Sequence, residues 1–256
     1  MMVDPWNLSF AGCGFRSMYH VGAVSCILER VPRLVHGAAR IGGASSGCLV
    51  AAALRGQSPK VTAEEEPSRR RAGHDTLLRA ELLQQLPADA HLLASGRLCV
   101  SLTRLADGQN LLVSQFESRE ELVQVLMCSC FFPVYCGFLP PSYRGVRYVD
   151  GALSNNMPLF EQRNTITVAP FSGESDICPR EGAFNLLETH YGNVSIQVNT
   201  GNVHRVCTSF LPPRLERPSS ALMQTEPVCC DLRYRWLKPR GPESLPAGIQ
   251  QSKRWH

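Results

Sequence analysis

Short apolar runs alternate with longer stretches of helical periodicity along the first part of the chain. The mainly apolar runs 6–11 and 39–43 each end at glycines, which predicts two short buried strands. Apolar positions repeat at helical spacing over 19–30, and a second helical stretch is expected over 32–36. The small, apolar residues of 47–54 predict a helix that packs against a sheet.

The middle of the chain adds a hairpin and further helices. Ala106-Asp107-Gly108 has the composition of a hairpin turn and separates two predicted strands. Ser118, followed by Glu120 and Glu121, predicts a helix start, because serine caps a first turn and acidic side chains complement the helix dipole. A further helix is expected over 77–86, and strands are expected at 98–103, 110–116, 145–149 and 165–168.

This alternation of strands and helices predicts an α/β layered fold with a largely parallel sheet, since helices are the usual connections between parallel strands. In such folds the functional site gathers at the carboxyl ends of the strands. Residues 57–73 interrupt the pattern with three consecutive glutamates and three consecutive arginines. Blocks of like charge are typical of solvated loops or linkers.

One segment is long and apolar enough to raise the question of a membrane span. The run from Leu122 to Tyr143 contains no charged residue. Pro133, Pro140 and Pro141 lie inside it, and proline interrupts helical hydrogen bonding. We therefore expect a buried helix that ends before Pro133, followed by a buried strand or turn, rather than a transmembrane helix.

The composition is that of a globular, cytoplasmic protein. Of the 256 residues, 44% are hydrophobic and 19% are charged, which allows a sizeable core, and a net charge of +4 gives no indication of nucleic-acid binding. The eleven cysteines show neither CxxC spacing nor a zinc-ligand pattern, so we expect mostly buried free thiols in a reducing compartment and no metal. No secretory signal is expected, because the first residues lack a basic segment followed by an apolar one.

A candidate nucleophile lies in the pentapeptide Gly43-Ala44-Ser45-Ser46-Gly47, between a predicted strand and a predicted helix. The G-x-S-x-G spacing suits a sharp turn that exposes the serine, with glycines where side chains would clash. The following helix N-terminus would stabilise developing negative charge. Ser45 occupies the motif serine position, and Ser46 is the alternative in the same turn.

Two further motifs follow predicted strands. Gly12-Cys13-Gly14-Phe15-Arg16-Ser17 lacks the third glycine of a dinucleotide-binding loop, but a glycine-rich turn can direct backbone N–H groups at an oxyanion. Asp150-Gly151-Ala152 places a carboxylate at the end of a strand, where it either faces a site or caps a turn. Taken alone, each motif is also compatible with a turn that has no chemistry.

The three motifs in this order resemble the patatin-like phospholipase family, in particular its adipose triglyceride lipase and adiponutrin branch. The resemblance extends over roughly residues 6–215, and includes Asn7-Leu-Ser-Phe-Ala-Gly-Cys-Gly-Phe, Arg144-Gly-Val-Arg-Tyr-Val-Asp-Gly and Pro170-Phe-Ser-Gly-Glu-Ser-Asp-Ile-Cys-Pro. It implies a three-layer α/β/α sandwich over 1–215, with a shortened charged loop at 55–76. A poorly patterned tail would occupy 216–256.

The resemblance also implies roles for individual residues. Ser45 would be the nucleophile of a Ser–Asp dyad and Asp150 its base. The turn would supply an oxyanion hole, and three further glycines would support the motifs. The oxyanion residues are Gly12, Cys13, Gly14 and Phe15, and the supporting glycines are Gly43, Gly47 and Gly151.

A histidine-based triad is the alternative to the dyad. Six of the seven histidines are considered as candidates, but none has a motif context. They are His20, His36, His74, His91, His190 and His204. His20 is expected in the core or on a helix face, so the dyad is the preferred interpretation.

The sequence departs from the family at several positions. Ser17 replaces the last glycine of the turn, where a Cβ could narrow the oxyanion region, and Arg16 and Ser46 are smaller departures. The segment between Leu54 and Leu77 is short and charged, and the C-terminal region that anchors relatives to lipid droplets is not expected here. An alternative transcript or imperfect gene model would explain both features.

The expected function is hydrolysis of long-chain acyl esters, most of all triacylglycerol, with phospholipid, retinyl ester and transacylation as variants. No cofactor is expected. The partners would be lipid at a droplet or membrane surface and a lipase co-activator protein, with no nucleic acid, and the chain would be peripheral on that surface. The rival hypothesis is a catalytically weak, lipid-droplet-binding regulatory protein that sequesters the co-activator.

Overall fold

The central sheet is largely parallel and carries antiparallel strands on one side. The computed structural model describes residues 5–55, 74–160, 164–180 and 187–211. The strands of the sheet are β1 (Asn7–Phe10), β2 (Arg40–Gly43), β3 (Leu98–Arg104), β4 (Asn110–Val113), β5 (Ser142–Tyr143), β6 (Val146–Asp150) and β7 (Thr165–Val168). β3, β2, β1 and β7 are adjacent and parallel, whereas β4 and β6 pair antiparallel with β3.

Helices connect the strands and pack on the sheet. They are α1 (Met18–Arg30), α2 (Arg33–His36), α3 (Ser46–Arg55), α4 (His74–Gln85), α5 (Ala90–Ala94), α6 (Arg119–Ser129), α7 (Ala152–Asn155) and α8 (Thr200–Ser209), with a 3-10 helix at Gly14–Ser17. α6 begins where the sequence indicates, because the Ser118 side chain accepts the Glu121 N–H. The predicted α/β fold with a largely parallel central sheet is confirmed.

The buried side chains form two clusters. The larger one fills the space between the central sheet and α1, α3 and α6, with Phe10, Ile27, Ile41 and Leu126 fully buried. The smaller one lies past the end of β1 and includes Ala11, Cys13, Met157 and Val194. It joins the turn after β1 to a hairpin formed by β8 (Glu188–Tyr191) and β9 (Val194–Gln197), which the sequence patterns did not predict.

Most cysteines of the described residues have the expected role, but the buried Cys26 is disulfide-bonded, contrary to the expectation of a free thiol. Cys13, Cys48, Cys99, Cys128 and Cys178 are buried free thiols. Buried cysteine behaves as a small hydrophobic side chain. The predicted charged loop lies almost wholly outside the described residues, and so does the predicted tail.

The uncharged run differs in part from its prediction. Its first half forms the buried helix α6, as expected. Its second half was expected to be buried as well, and this is wrong: Val134, Phe138 and Leu139 are 74%, 88% and 72% exposed. The closely spaced prolines and Gly137 prevent a regular strand, so the segment forms a tight turn that projects from the surface. No helix among the described residues is long and apolar enough to cross a membrane.

Candidate active site

The turn after β2 holds Ser45 in a backbone conformation that few residues adopt. Ser45 has a φ of +51°, in the left-handed region, and its side chain is partly exposed between buried neighbours. This region costs a residue with a Cβ about 1–2 kcal/mol. Such strain at one accessible serine, between a strand and a helix, is typical of a nucleophile elbow.

The glycines on either side of Ser45 are required by close packing. A Cβ on Gly43 would lie 2.6 Å from the carbonyl oxygen of Phe10, and a Cβ on Gly47 would collide with the same oxygen. β1 therefore approaches the elbow so closely that only hydrogen fits at both positions. This packing explains the G-x-S-x-G spacing in physical terms.

The strand register brings Ser45 and Asp150 together. β4 pairs with the middle of β3 along one edge, so β2 and β6 both lie along the opposite edge. There Gly43 is opposite Val100, and Asp150 is opposite Leu102. Because β2 is parallel to β3 and β6 is antiparallel, their carboxyl ends point towards each other. The Ser45 hydroxyl therefore lies beside the Asp150 carboxylate and interacts with it in the direction that lowers the pKa of that carboxyl.

Asp150 lies in a low-dielectric setting. Its side chain is buried, and burial raises its pKa from 3.8 to about 6, although hydrogen bonds from Ser45 and from the Ala152 N–H act in the opposite direction. The Ala152 N–H donates to Oδ1 over 2.8 Å. A Cβ on Gly151 would collide with the carbonyl oxygen of Ser101, so glycine is needed to turn the chain here. Asp150 is thus ionised at neutral pH, with a pKa suited to proton transfer.

Two hydroxyl groups hold the backbones of this pair, and the motifs did not single them out. Ser129 Oγ accepts the Ser45 N–H over 3.0 Å and donates to the Ser101 carbonyl oxygen over 2.8 Å. Thr103 Oγ1 donates to the Asp150 carbonyl oxygen over 2.8 Å. The sequence signal for Ser129 is a serine that ends α6 directly after the apolar residues 125–128, since a buried hydroxyl needs a partner.

The glycine-rich turn after β1 lies directly beside Ser45. A Cβ on Gly12 would be 2.9 Å from the Ser45 Cβ. Two of the four predicted oxyanion N–H groups already have acceptors: Gly12 donates to Asn156 Oδ1 over 2.7 Å, and Cys13 donates to Ser46 Oγ over 3.1 Å. Asn156 is therefore a further residue of this site that the motifs did not indicate.

The other two N–H groups begin the 3-10 helix. Within the described part of the chain, Gly14 and Phe15 donate no backbone hydrogen bond, as expected for the first residues of a helix. Gly14 has a φ of +53°, and a Cβ there would collide with the carbonyl oxygen of Ser209. Among the described residues, these are the two N–H groups of the turn that have no acceptor.

The departure at Ser17 does not strain the turn. Ser17 has a φ of −54° and ψ of −23°, which is ordinary right-handed helix that any residue adopts. Glycine is thus not required by the backbone at this position. Ser46, the other departure in the elbow, has a defined task, because its Oγ holds the Cys13 N–H.

His20 has the core position that the sequence predicts. It is fully buried, its Nε2 lies 2.7 Å from the carbonyl oxygen of Ala11, and its ring meets that of Phe10 edge-on. Burial lowers the pKa of His20 to about 4, so the ring is neutral and donates from Nε2 to Ala11. The side-chain partner that the structure gives Ser45 is Asp150.

One cluster in the described residues has ligand types that metals use. Side-chain atoms of Glu174, Glu188 and His190 lie within 4.8 Å of one another, with Glu174 and His190 exposed. Exposed carboxylates often approach a histidine without any ion. The cluster therefore assigns no metal.

The chain is similar to known proteins over most of its length. Residues 71–161 match the family described as patatin-like phospholipase. "Patatin-like phospholipase domain-containing protein 2" of Rattus norvegicus is 48% identical over 222 residues, which are 81% of this chain and 46% of that protein. The Homo sapiens protein named "1-acylglycerol-3-phosphate O-acyltransferase PNPLA3" is 44% identical over 225 residues, 82% of this chain and 47% of that protein.

The chain spans about half the length of the curated relatives it matches. The solved structure of VipD from Legionella pneumophila aligns with a TM-score of 0.44 and 13% identity, over 67% of this chain and 50% of that one.

The family match includes Asp150 of the D-G-A motif. The aligned relatives, at more than 40% identity over four-fifths of the chain, are named as patatin-like proteins or as an acyltransferase. The family resemblance of the sequence motifs is therefore confirmed. The chain belongs to the patatin-like phospholipase domain family.

Proposed function

We propose that the chain is a serine acyl hydrolase that cleaves long-chain acyl esters with Ser45 as nucleophile and Asp150 as base. The observation that carries this proposal is that the strand register places a strained, accessible serine beside a buried carboxylate, whose pKa burial raises to about 6. A hydroxyl next to such a base is an activated nucleophile. The family membership makes ester hydrolysis the chemistry to expect.

In the first half-reaction, Ser45 Oγ attacks the ester carbonyl carbon while its proton passes to the Asp150 carboxylate. The carbonyl oxygen becomes an oxyanion, and the N–H groups of Gly14 and Phe15 are the donors that remain for it. When the intermediate collapses, Asp150 returns the proton to the leaving alcohol. An acyl group then remains on Ser45.

In the second half-reaction, water gives up a proton to Asp150 and attacks the acyl-enzyme, which releases the fatty acid and restores the Ser45 hydroxyl. An acceptor alcohol in place of water would give transacylation by the same steps. The relative named as a 1-acylglycerol-3-phosphate O-acyltransferase supports this variant. Triacylglycerol is the favoured substrate, and phospholipid or retinyl ester would meet the same chemistry.

Substrates of this class collect at lipid surfaces, so the chain would act as a peripheral protein on a droplet or membrane. A lipase co-activator protein is the other proposed partner. The rival function, a lipid-droplet protein with weak catalysis, would use the same fold and partners. The two functions differ in one testable property: a regulatory protein of this kind would not become acylated on Ser45.

The test combines covalent labelling with an esterase assay. Purified protein is treated with a fluorophosphonate probe and assayed on emulsified triolein, beside Ser45→Ala, Asp150→Asn and the matched control Ser142→Ala, which changes an exposed serine on β5. We expect labelling and fatty-acid release with the wild type and Ser142→Ala, and neither with Ser45→Ala. A folded wild-type protein that takes no label would exclude the enzyme and favour the regulatory function.

A further inference from the structure

A tight turn near the candidate active site exposes the most prominent apolar side chains of the described molecule. We define residues 132–139 as the apolar loop. Val134, Phe138 and Leu139 in this loop are more exposed than any other large hydrophobic residue that the structure describes. Large apolar groups concentrated this closely mark an interaction site.

Backbone hydrogen bonds within the apolar loop fix its conformation. The Val134 N–H donates to the Gly137 carbonyl oxygen and the Cys136 N–H donates to the Phe132 carbonyl oxygen, both over 2.9 Å. Val134 has a φ of +71°, a conformation that is strained for a β-branched residue. Strain of this kind persists where the surrounding structure enforces it, and it is common at functional sites.

The loop is also continuous with the candidate active site. At its base, the Phe131 carbonyl oxygen accepts the backbone N–H of Asp150 over 2.8 Å. At its side, the Tyr135 ring packs edge-on against the ring of Phe15, which belongs to the oxyanion turn, with 6.1 Å between the ring centres. A surface bound by the loop would therefore lie next to the place where an acyl ester must enter.

The charges favour lipid over a protein partner. No charged residue occurs from Leu122 to Tyr143, whereas a protein interface usually surrounds its apolar centre with a polar rim. Just past this run, the Arg144 guanidinium is already paired with Glu117 and Glu121. Nothing in the loop would attract an anionic headgroup, so the chemistry fits an apolar surface.

We infer that the apolar loop inserts into the surface of a neutral-lipid droplet and places the Ser45 site against it. This inference rests on the proposed acyl-ester function for the choice of a droplet as partner. Phe138 and Leu139 would enter the acyl-chain region, and Val134 would lie at its boundary. Contact between Phe132 and Phe210, whose ring centres are 5.4 Å apart, would extend the same surface.

The test measures binding without turnover. In a Ser45→Ala background, flotation with phosphatidylcholine-coated triolein droplets is compared for the parent, Phe138→Ser, Phe138→Ser/Leu139→Ser and the control Leu92→Ser, which changes a leucine on α5 that is 69% exposed. We expect the partition coefficient to fall about tenfold for the single loop variant and roughly 100-fold for the double variant, from the usual cost of exposing such side chains. Leu92→Ser should bind as the parent does, and added salt should not weaken binding.

A second variant reports the location directly. Phe138→Trp should shift its fluorescence to shorter wavelength when droplets are added, whereas Leu92→Trp should not. Unchanged flotation of the double variant, or equal binding to phosphatidylcholine vesicles without triolein, would overturn the inference. So would a Phe138→Trp spectrum that is already blue-shifted before lipid is added, because the loop would then be covered by the chain itself.

The outcomes separate this inference from the proposed function. If flotation depends on the loop but wild-type Ser45 takes no label, the apolar loop is a lipid-binding surface and the proposed hydrolase function is wrong. If Ser45 is labelled but flotation does not depend on the loop, the hydrolase function is supported and lipid binding by the apolar loop is wrong.

Discussion

The backbone N–H of Gly12 donates to the side-chain oxygen of Asn156 over 2.7 Å, and the same peptide unit is held at its other end by His20, which donates to the Ala11 carbonyl oxygen. The peptide plane that precedes the oxyanion turn is thus fixed from both sides. Asn156 follows the D-G-A motif by a few residues, so the segment that carries the proposed base Asp150 also holds the turn after β1. Asn156 is itself packed against Gly192 at the tip of the β8–β9 hairpin.

We expect Asn156→Ala to lower kcat by about 10–100-fold with little change in KM, because it frees the turn without removing a group that binds substrate. Losing the acceptor for a buried N–H should also lower the free energy of unfolding by about 1–3 kcal/mol. Steady-state kinetics and urea denaturation measure the two effects. Asn155→Ala is the matched control, since Asn155 is adjacent and makes exposed contacts. A large rise in KM alone would show that Asn156 contacts substrate instead.

Ser129 is expected to act on Ser45 through the backbone. Ser129→Ala removes the acceptor of the Ser45 N–H, so the elbow should relax and kcat should fall about tenfold, with a loss of about 1–2 kcal/mol in the free energy of unfolding. The fluorophosphonate labelling rate should fall in parallel, since it measures the reactivity of Ser45 itself. Ser142→Ala, an exposed serine, is the control. Unaltered labelling would contradict a positioning role.

The sequence predicts the elements of the site better than their supporting contacts. The G-x-S-x-G and D-G-A motifs are detectable because glycines there are imposed by local clashes, as at Gly43 and Gly151. The contacts of Ser129 and Asn156 join residues 84 and 144 positions apart, and no local pattern encodes such pairs. The exposure of Phe138 was missed for a related reason, because hydrophobicity predicts burial only when a partner surface is available.

The pH dependence of the reaction should report the raised pKa of Asp150. The proposed mechanism needs the carboxylate form, so kcat/KM should fall below about pH 6, where an unperturbed aspartate would keep full activity to near pH 4. The pH profile of kcat/KM on a soluble short-chain ester measures this limb. The fluorophosphonate labelling rate should follow the same curve. A limb near pH 4 would contradict control by the buried carboxylate.

The raised pKa of Asp150 should also make the free energy of unfolding depend on pH. Between pH 3.8 and about 6 the folded chain keeps a proton on Asp150 that the unfolded chain has lost, so the stability contributed by this group falls as pH rises through that window. Above pH 6 the loss is of the order of 3 kcal/mol, since one pKa unit corresponds to about 1.4 kcal/mol. Asp150→Asn removes the charge and should therefore be more stable than the wild type at pH 7 and no more stable near pH 3.8.

Urea denaturation of the wild type and of Asp150→Asn across this pH range isolates the contribution of Asp150 to the free energy of unfolding, because the two proteins share all other titrating groups. A stability difference that is constant with pH would show that the carboxyl titrates alike in the folded and unfolded chains. Ser142→Ala should show no such difference at any pH.

The backbone strain at Ser45 should affect the stability of variants at this position. Its φ of +51° costs any residue with a Cβ about 1–2 kcal/mol, and glycine avoids this cost. Ser45→Gly should therefore be more stable than Ser45→Ala by about 1 kcal/mol, even after allowance for the greater chain entropy of unfolded glycine. Both variants should be inactive and unlabelled, so the pair separates strain from chemistry. Equal unfolding free energies, measured by urea denaturation at one pH, would show that the left-handed turn relaxes once the hydroxyl is removed. In that case the hydrogen bond to Asp150 would be what holds Ser45 in its strained conformation.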